Sequence, residues 1–139
     1  MILVLDTDVV VAALRSPRGA SRRLTQLLRA GRVQAVATIS MFVEYEAVLT
    51  QPGNLAAAGL GVAEVEVFLG GLAALVIPVK PHLLWRPQLR DPNDEMVLEA
   101  AVIGHANAIV TFNLRDFRPA AARFGIEVER PGDIIRRLR

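Results

Sequence analysis

The chain has 139 residues, of which 53% are hydrophobic and 22% charged, with a formal net charge of +2. That balance excludes intrinsic disorder, and no stretch approaches the ~18 apolar residues a membrane-crossing helix needs. The absence of cysteine excludes disulfides, thiolate zinc sites and cysteine nucleophiles together.

Ile2-Leu3-Val4-Leu5 is a short apolar run of the kind that forms a strand buried on both faces. It meets a charge at Asp6 and has no basic segment before it, so it is not expected to be a signal peptide. Val9 to Leu14 predicts a buried helix, and Ser16-Pro17-Arg18-Gly19 a turn. Ser21 can cap a second helix carrying Leu24, Leu27 and Leu28, which Gly31 stops. Val33 to Thr38 predicts a second strand. Ser40 is the expected cap of the next helix, with Met41, Val48 and Leu49 on its apolar face and an end near Gln51-Pro52-Gly53. Leu55 to Gly61 has no clear assignment. Val62 to Leu75 has helical periodicity, with Glu64 and Glu66 facing solvent and Gly70-Gly71 weakening the later turns. Val76 to Val79 predicts a third strand, and Pro78 favours an edge position. Asp91-Pro92-Asn93-Asp94 opens a helix to about Gly104, followed by a strand over Ala108 to Thr111. A short helix over Asp116 to Phe124, a strand over Ile126 to Val128 and a helix from Pro131 to Leu138 complete the chain. Strands and helices alternate from end to end. The pattern predicts one α/β domain over residues 1–139, a parallel sheet with helices on both faces.

Fifteen of the sixteen basic residues are arginine, the exception being Lys80. The first forty residues hold six arginines against Asp6 and Asp8, a balance of +4, and residues 130–139 balance to +3. The stretch between them stands at −5. Basic ends around an acidic middle suit a phosphate-bearing substrate drawn to a metal centre. In open parallel sheets, ligands bind beyond the carboxyl ends of the strands, where strand order reverses. Asp6 follows the first strand, Asp116 the fourth, Glu44 starts the helix after the second, and Asp94 starts the helix before the fourth. All four fall at that end. Four acids gathered there call for a divalent cation, and hard oxygen donors favour Mg²⁺ or Mn²⁺. Taken singly, Asp6, Asp94 and Asp116 could instead cap helices, and Glu44 could be a solvated helix charge like Glu46. Val43 and Tyr45 beside Glu44 suggest a partly buried setting. Thr111 and Asn113 read equally as turn formers or as supports for the acids. His82 and His105 lie on unrelated segments and form no ligand pair. The few scattered aromatics show no base-stacking platform.

Several segments together resemble the PIN-domain family of metal-dependent ribonucleases, especially its VapC-like toxin branch. They are Val4-Leu5-Asp6-Thr7-Asp8-Val9-Val10, Ser16-Pro17-Arg18-Gly19, Glu44-Tyr45-Glu46-Ala47-Val48-Leu49, Arg90-Asp91-Pro92-Asn93-Asp94, Ile109 to Phe117, and Gly125-Ile126-Glu127-Val128. The resemblance implies a three-layer α/β/α sandwich, Rossmann-like, with a five-stranded parallel sheet of order 3-2-1-4-5. It places the family's acidic quartet on Asp6, Glu44, Asp94 and Asp116, as catalytic residues and ligands of Mg²⁺ or Mn²⁺. Thr7, Asp8, Thr111 and Asn113 would support them, and Arg15, Arg18 and Arg115 would hold phosphates. Two positions depart from the pattern. Asp8 stands where the family commonly has asparagine, and Asn113 where many members have an acid, which leaves the fourth carboxylate to Asp116.

The implied function is an endoribonuclease acting on single-stranded or structured RNA, cytoplasmic, and the toxin of a type II toxin–antitoxin pair. Its expected partners are RNA and a small antitoxin that places an arginine or lysine among the acids. A homodimer is expected through a helix stripe of Val62, Val65, Leu69 and Leu72. Two other readings compete. One is an RNA-binding or regulatory module of the same fold with weakened chemistry, which Asn113 favours and the four acids oppose. The other takes Asp6-Thr7-Asp8 as the nucleophile motif of a haloacid-dehalogenase-type phosphatase, with Lys80 as the only available lysine.

Overall fold

A computed structural model describes residues 1–81 and 87–138; His82 lies outside them. Five strands, β1 (Ile2–Leu5), β2 (Gln34–Ala37), β3 (Ile77–Pro78), β4 (Ala108–Val110) and β5 (Glu127–Glu129), form one parallel sheet. The order is β3-β2-β1-β4-β5. β1 and β4 are the central pair, with Leu3, Val4, Ala108, Ile109 and Val110 all fully buried. An apolar run with no polar alternation is what a strand covered on both faces requires. β3 is exposed at the edge, where the missing N–H of Pro78 costs no central ladder bond.

The helices are α1 (Thr7–Arg15), α2 (Ala20–Arg29), α3 (Ile39–Leu49), α4 (Pro52–Ala58), α5 (Val62–Leu75), α6 (Pro92–Ile103), α7 (Leu114–Ala122) and α8 (Pro131–Arg137). α1, α2, α3, α5 and α8 pack on one another, while α6 lies along β2, β1 and β4 beside α7. Right-handed crossovers put these two groups on opposite faces of the sheet. No single described helix is long and apolar enough to cross a membrane. α4 and α5 together would pass on length and composition, but they are bent by 83°.

Local chemistry accounts for four departures from expectation. Thr38, not Ser40, caps α3, its hydroxyl accepting the Met41 N–H at 3.2 Å. α2 starts after Gly19, and Ser21 is buried inside its first turn, its Oγ without a partner among the described residues. Leu55 to Gly61, left unassigned, falls largely in α4, because Pro52 is the first residue of a new helix rather than the stop of the old one. The stripe on α5 is core for three of its four members. Val65, Leu69 and Leu72 are buried in the described chain, and only Val62 is exposed. On these two helices the exposed large apolar residues are Ile39 and Val43 on α3 and Val62 and Val67 on α5.

Gly104 ends α6 where the helix comes closest to β2. A Cβ there would lie 2.6 Å from Val36 Cγ2 and 3.0 Å from the Ala100 carbonyl. Gly70, mid-helix in α5, has open space around it. Gly104→Ala should therefore cost about 1–3 kcal/mol, as overpacking does. Gly70→Ala should instead stabilise by up to ~1 kcal/mol through helix propensity. Urea unfolding midpoints moving in opposite directions for the two variants are the expected result.

Candidate metal centre

Strand order reverses between β1 and β4, and their carboxyl ends open into the site. β1 runs straight into α1, so Asp6 is at once the residue after the strand and the N-cap of the helix. Its Oδ1 accepts the Thr7 N–H at 2.8 Å, and its own N–H is bonded to the Val110 carbonyl. Its second oxygen is 2.8 Å from Thr111 Oγ1, a buried hydroxyl at the end of β4 that donates to it. Behind the strand end, the buried Tyr45 hydroxyl donates to the Leu5 carbonyl. Burial and the nearby Asp6 charge push the Tyr45 pKa upward, so the phenol stays a donor.

Asp8 completes the centre more directly than expected. It sits in the first turn of α1, with Oδ2 accepting the Phe112 N–H at 3.0 Å and lying 3.3 Å from Thr111 Oγ1. Its Oδ1 is buried without a hydrogen-bond partner among the described residues. Burial raises its pKa. Asp6 is pushed up to about 7, first by burial and then by the Asp8 charge, with Asp94 adding to it. Asp94 rises to about 6, from burial and from Asp91, Asp116 and Asp8. Asp8 and Asp94 thus act on Asp6, and Asp91, Asp116 and Asp8 act on Asp94.

Asp94 is free for this because Asp91 caps α6, accepting the Asn93 N–H at 2.8 Å. Asp116 is not a cap either. It accepts from Asn113 Nδ2 at 2.9 Å, while the Asn113 N–H donates to Thr111 Oγ1 at 2.9 Å. Glu44 stands at the margin of the centre, half-buried and 3.3 Å from Asn93 Nδ2. Its neighbour Tyr45 is buried, but Val43 is exposed, so only one side of Glu44 is enclosed.

A cleft of about 570 Å³ opens between the start of α6 and α7, lined among others by Asp91, Asp94, Asn113, Arg115, Asp116 and Arg123. Arg123 reaches across to Gln88 Oε1, and Glu95 holds the Gln88 and Leu89 N–H groups, which fixes the cleft wall. Arg115 is thus at the site. Arg15 ends α1, nine residues and about 13 Å of helix from Asp6, and Arg18 lines a different hollow with Arg23 and Arg136. Neither is brought to the acids. A separate groove of about 270 Å³ between α2 and α5 has no acidic lining.

Among the described residues, no three acidic or histidine side chains stand close enough to ligate one ion together. The quartet expected as a joint ligand set is thus not assembled around one position among the described residues. Dispersed oxygen donors still fit Mg²⁺, which takes one or two carboxylates directly and keeps several waters. The unpartnered Asp8 Oδ1 and the raised Asp6 and Asp94 carboxyls mark where positive charge is wanted. From sequence, Asp8 has a supporting place and nothing singles out Asn93, whose amide reaches Glu44. The signal for Asp8 was its place two residues after Asp6, in the same first helical turn.

A family model described as PIN domain matches residues 2–115. No curated protein matches the chain. Among solved structures, it is similar to a chain in the crystal structure of VapBC2 from Rickettsia felis bound to a DNA fragment from their promoter. The TM-score is 0.62 at 15% identity, covering 94% of this chain and 98% of that one. At that identity the likeness concerns the fold.

The raised carboxyls have a consequence for stability. The folded chain binds more protons than the unfolded one between the ordinary value of 3.8 and about 7, so the site's contribution to stability falls as pH rises across that window. Asp6→Asn keeps an oxygen for the Thr7 cap and removes the charge. Its thermal midpoint in chelator should equal or exceed the wild type at about pH 8, with a weaker dependence on pH below that. A variant that melts far below wild type at both pH values would make Asp6 chiefly a structural cap.

Proposed function

The chain belongs to the PIN-domain family of nucleases, and on that premise we propose that it is a metal-dependent endoribonuclease, the toxin of a toxin–antitoxin pair. The observation that carries this reading is the pair Asp6 and Asp8 gathered on Thr111 at the switch point of the sheet, near a cleft lined by Asp94, Asp116 and Arg115. Family membership, rather than the phosphatase reading, accounts for Asp6-Thr7-Asp8.

One or two of Asp6, Asp8, Asp94 and Asp116 would hold Mg²⁺ or Mn²⁺ directly, with the others and Glu44 reaching it through its waters. When bound, the ion supplies a water of lowered pKa and neutralises charge developing on the scissile phosphate. The chain's own residues do the positioning. Thr111 orients Asp6 and receives the Asn113 N–H, while the Asn113 amide orients Asp116. Asn113 therefore supports the site from the position where the family often has an acid. Arg115 offers a planar fork to a phosphate entering the cleft.

The partner follows from the same charge. A segment carrying arginine or lysine could occupy the acidic cleft and block it, which is the role proposed for a small antitoxin. The structural neighbour comes from a VapBC2 complex, which supports a partner of this kind. A homodimer would use the outer face of α3 and α5, where Ile39, Val43, Val62 and Val67 are exposed.

Cleavage of single-stranded RNA should require Mg²⁺ or Mn²⁺ and stop in chelator. Asp94→Asn should cost more than about 100-fold in rate and Thr111→Val about 10- to 100-fold, the range for groups that orient metal ligands. Activity undiminished in chelator would refute the metal assignment. For the dimer, light scattering should give twice the 15.1 kDa chain mass, and Val43→Glu with Val67→Glu should return it to one.

A further inference from the structure

Next to the acidic cleft lies a second one of opposite character. It has a volume of about 470 Å³, and its lining includes Phe112, Leu114, Pro119, Arg115, Arg118 and Arg130. No acid lines it. The sheet register builds it. Val110 of β4 is level with Glu129 of β5, so the next residues on each strand, Thr111-Phe112 and Arg130, emerge side by side. Arg115 and Arg118 are three residues apart on α7 and share a helix face. None of the three arginines makes an ion pair or side-chain hydrogen bond among the described residues. Phe112 is 47% exposed, although a fully buried Phe117 lies five residues on.

Phe112 is also tied to the site. Its N–H donates to Asp8, so the exposed ring is attached to the backbone that holds the acidic centre. Arg115 and Asn113 line both clefts, which makes the first turn of α7 the ridge between them. An exposed aromatic face beside three free guanidinium groups suits a ligand that is flat and apolar at one end and anionic at the other. A nucleotide is such a ligand, and continuity with the acidic cleft favours one in the same strand as the scissile phosphate.

We propose that this cleft is a substrate subsite that seats a nucleotide flanking the cleavage point, its base stacked on Phe112 and its phosphates held by Arg115, Arg118 and Arg130. The proposal rests on the ribonuclease reading and adds to it a residue that positions the strand. Stacking on phenylalanine is tolerant of base identity, since every base has a π face. The subsite therefore contributes affinity and register rather than sequence choice. Removing Phe112 should raise KM and leave kcat nearly unchanged.

The test is the anisotropy of a short fluorescent single-stranded RNA of mixed sequence, in chelator so that nothing is cleaved. Phe112→Ala should weaken binding about 5- to 10-fold, the lower part of the range for loss of a base–aromatic stack. Phe112→Trp should restore it, and Phe112→Leu should not. Arg118→Ala and Arg130→Ala should each reduce the slope of log K against log salt by about 0.7. Unchanged thermal midpoints would confirm that these surface variants fold. Equal RNA affinity for wild type, Phe112→Ala and Phe112→Leu would overturn the subsite. So would variants that keep RNA affinity but lose an acidic partner peptide, which would mark the cleft as a protein-docking face. A wild type that neither binds nor cleaves RNA would remove the ribonuclease reading and the subsite with it. A wild type that cleaves while its Phe112 variants match it in KM would remove the subsite alone.

Discussion

The structure turns on two aspartates, Asp6 and Asp8, held two residues apart at the end of a buried strand. Like charges so placed oppose folding, and the surrounding chain is arranged to tolerate them. Thr111 bridges both carboxylates, and the Phe112 N–H satisfies one oxygen of Asp8. The N-termini of α1, α6 and α7 all begin at this edge of the sheet. Their aligned peptide dipoles put partial positive charge where the acids are. A parallel sheet makes this convergence possible, because every strand delivers its following helix to the same side.

The same arrangement separates the two signs of charge. α7 stands between an acidic cleft and a basic one, with Arg115 at the boundary. On the proposed reading a phosphodiester strand would use both kinds of surface, cations to hold its phosphates and acids to hold the ion that would activate a water. Much of the chain's arginine has other work. Arg22 donates to the Ala13 carbonyl and lies 5.6 Å over the Phe68 ring, and Arg32 binds the Leu138 carbonyl. Arg137 pairs with Glu127 and Glu129 at the end of the sheet. The basic N-terminal third seen in composition is thus partly structural.

The element order was legible because the central strands β1 and β4 are apolar runs and most helices start at a capping side chain or a proline. Boundaries were less so. Thr38 and Ser40 are both good caps, and only the path of the chain leaving β2 selects Thr38. Pro52 can stop one helix or start the next, and α4 exists because the second option packs against α1 and α3. The stripe on α5 shows the same limit. Amphipathic spacing says that Val65, Leu69 and Leu72 will be covered, but not whether the cover is this chain's own core or another molecule.

Sequence alone determined that this is a parallel α/β chain, and that Asp6, Asp94 and Asp116 lie at one end of its sheet, because strand–helix alternation and handedness leave no other placement. It also brought out the PIN-domain likeness, since the motifs survive in order. Tertiary structure decided the rest. It made Asp91 the cap and freed Asp94, set Glu44 at the margin, brought Asp8 into the centre, and placed Arg130 beside Phe112 across a strand pairing. These outcomes depend on distances between segments far apart in the chain, and periodicity along one segment carries no information about them.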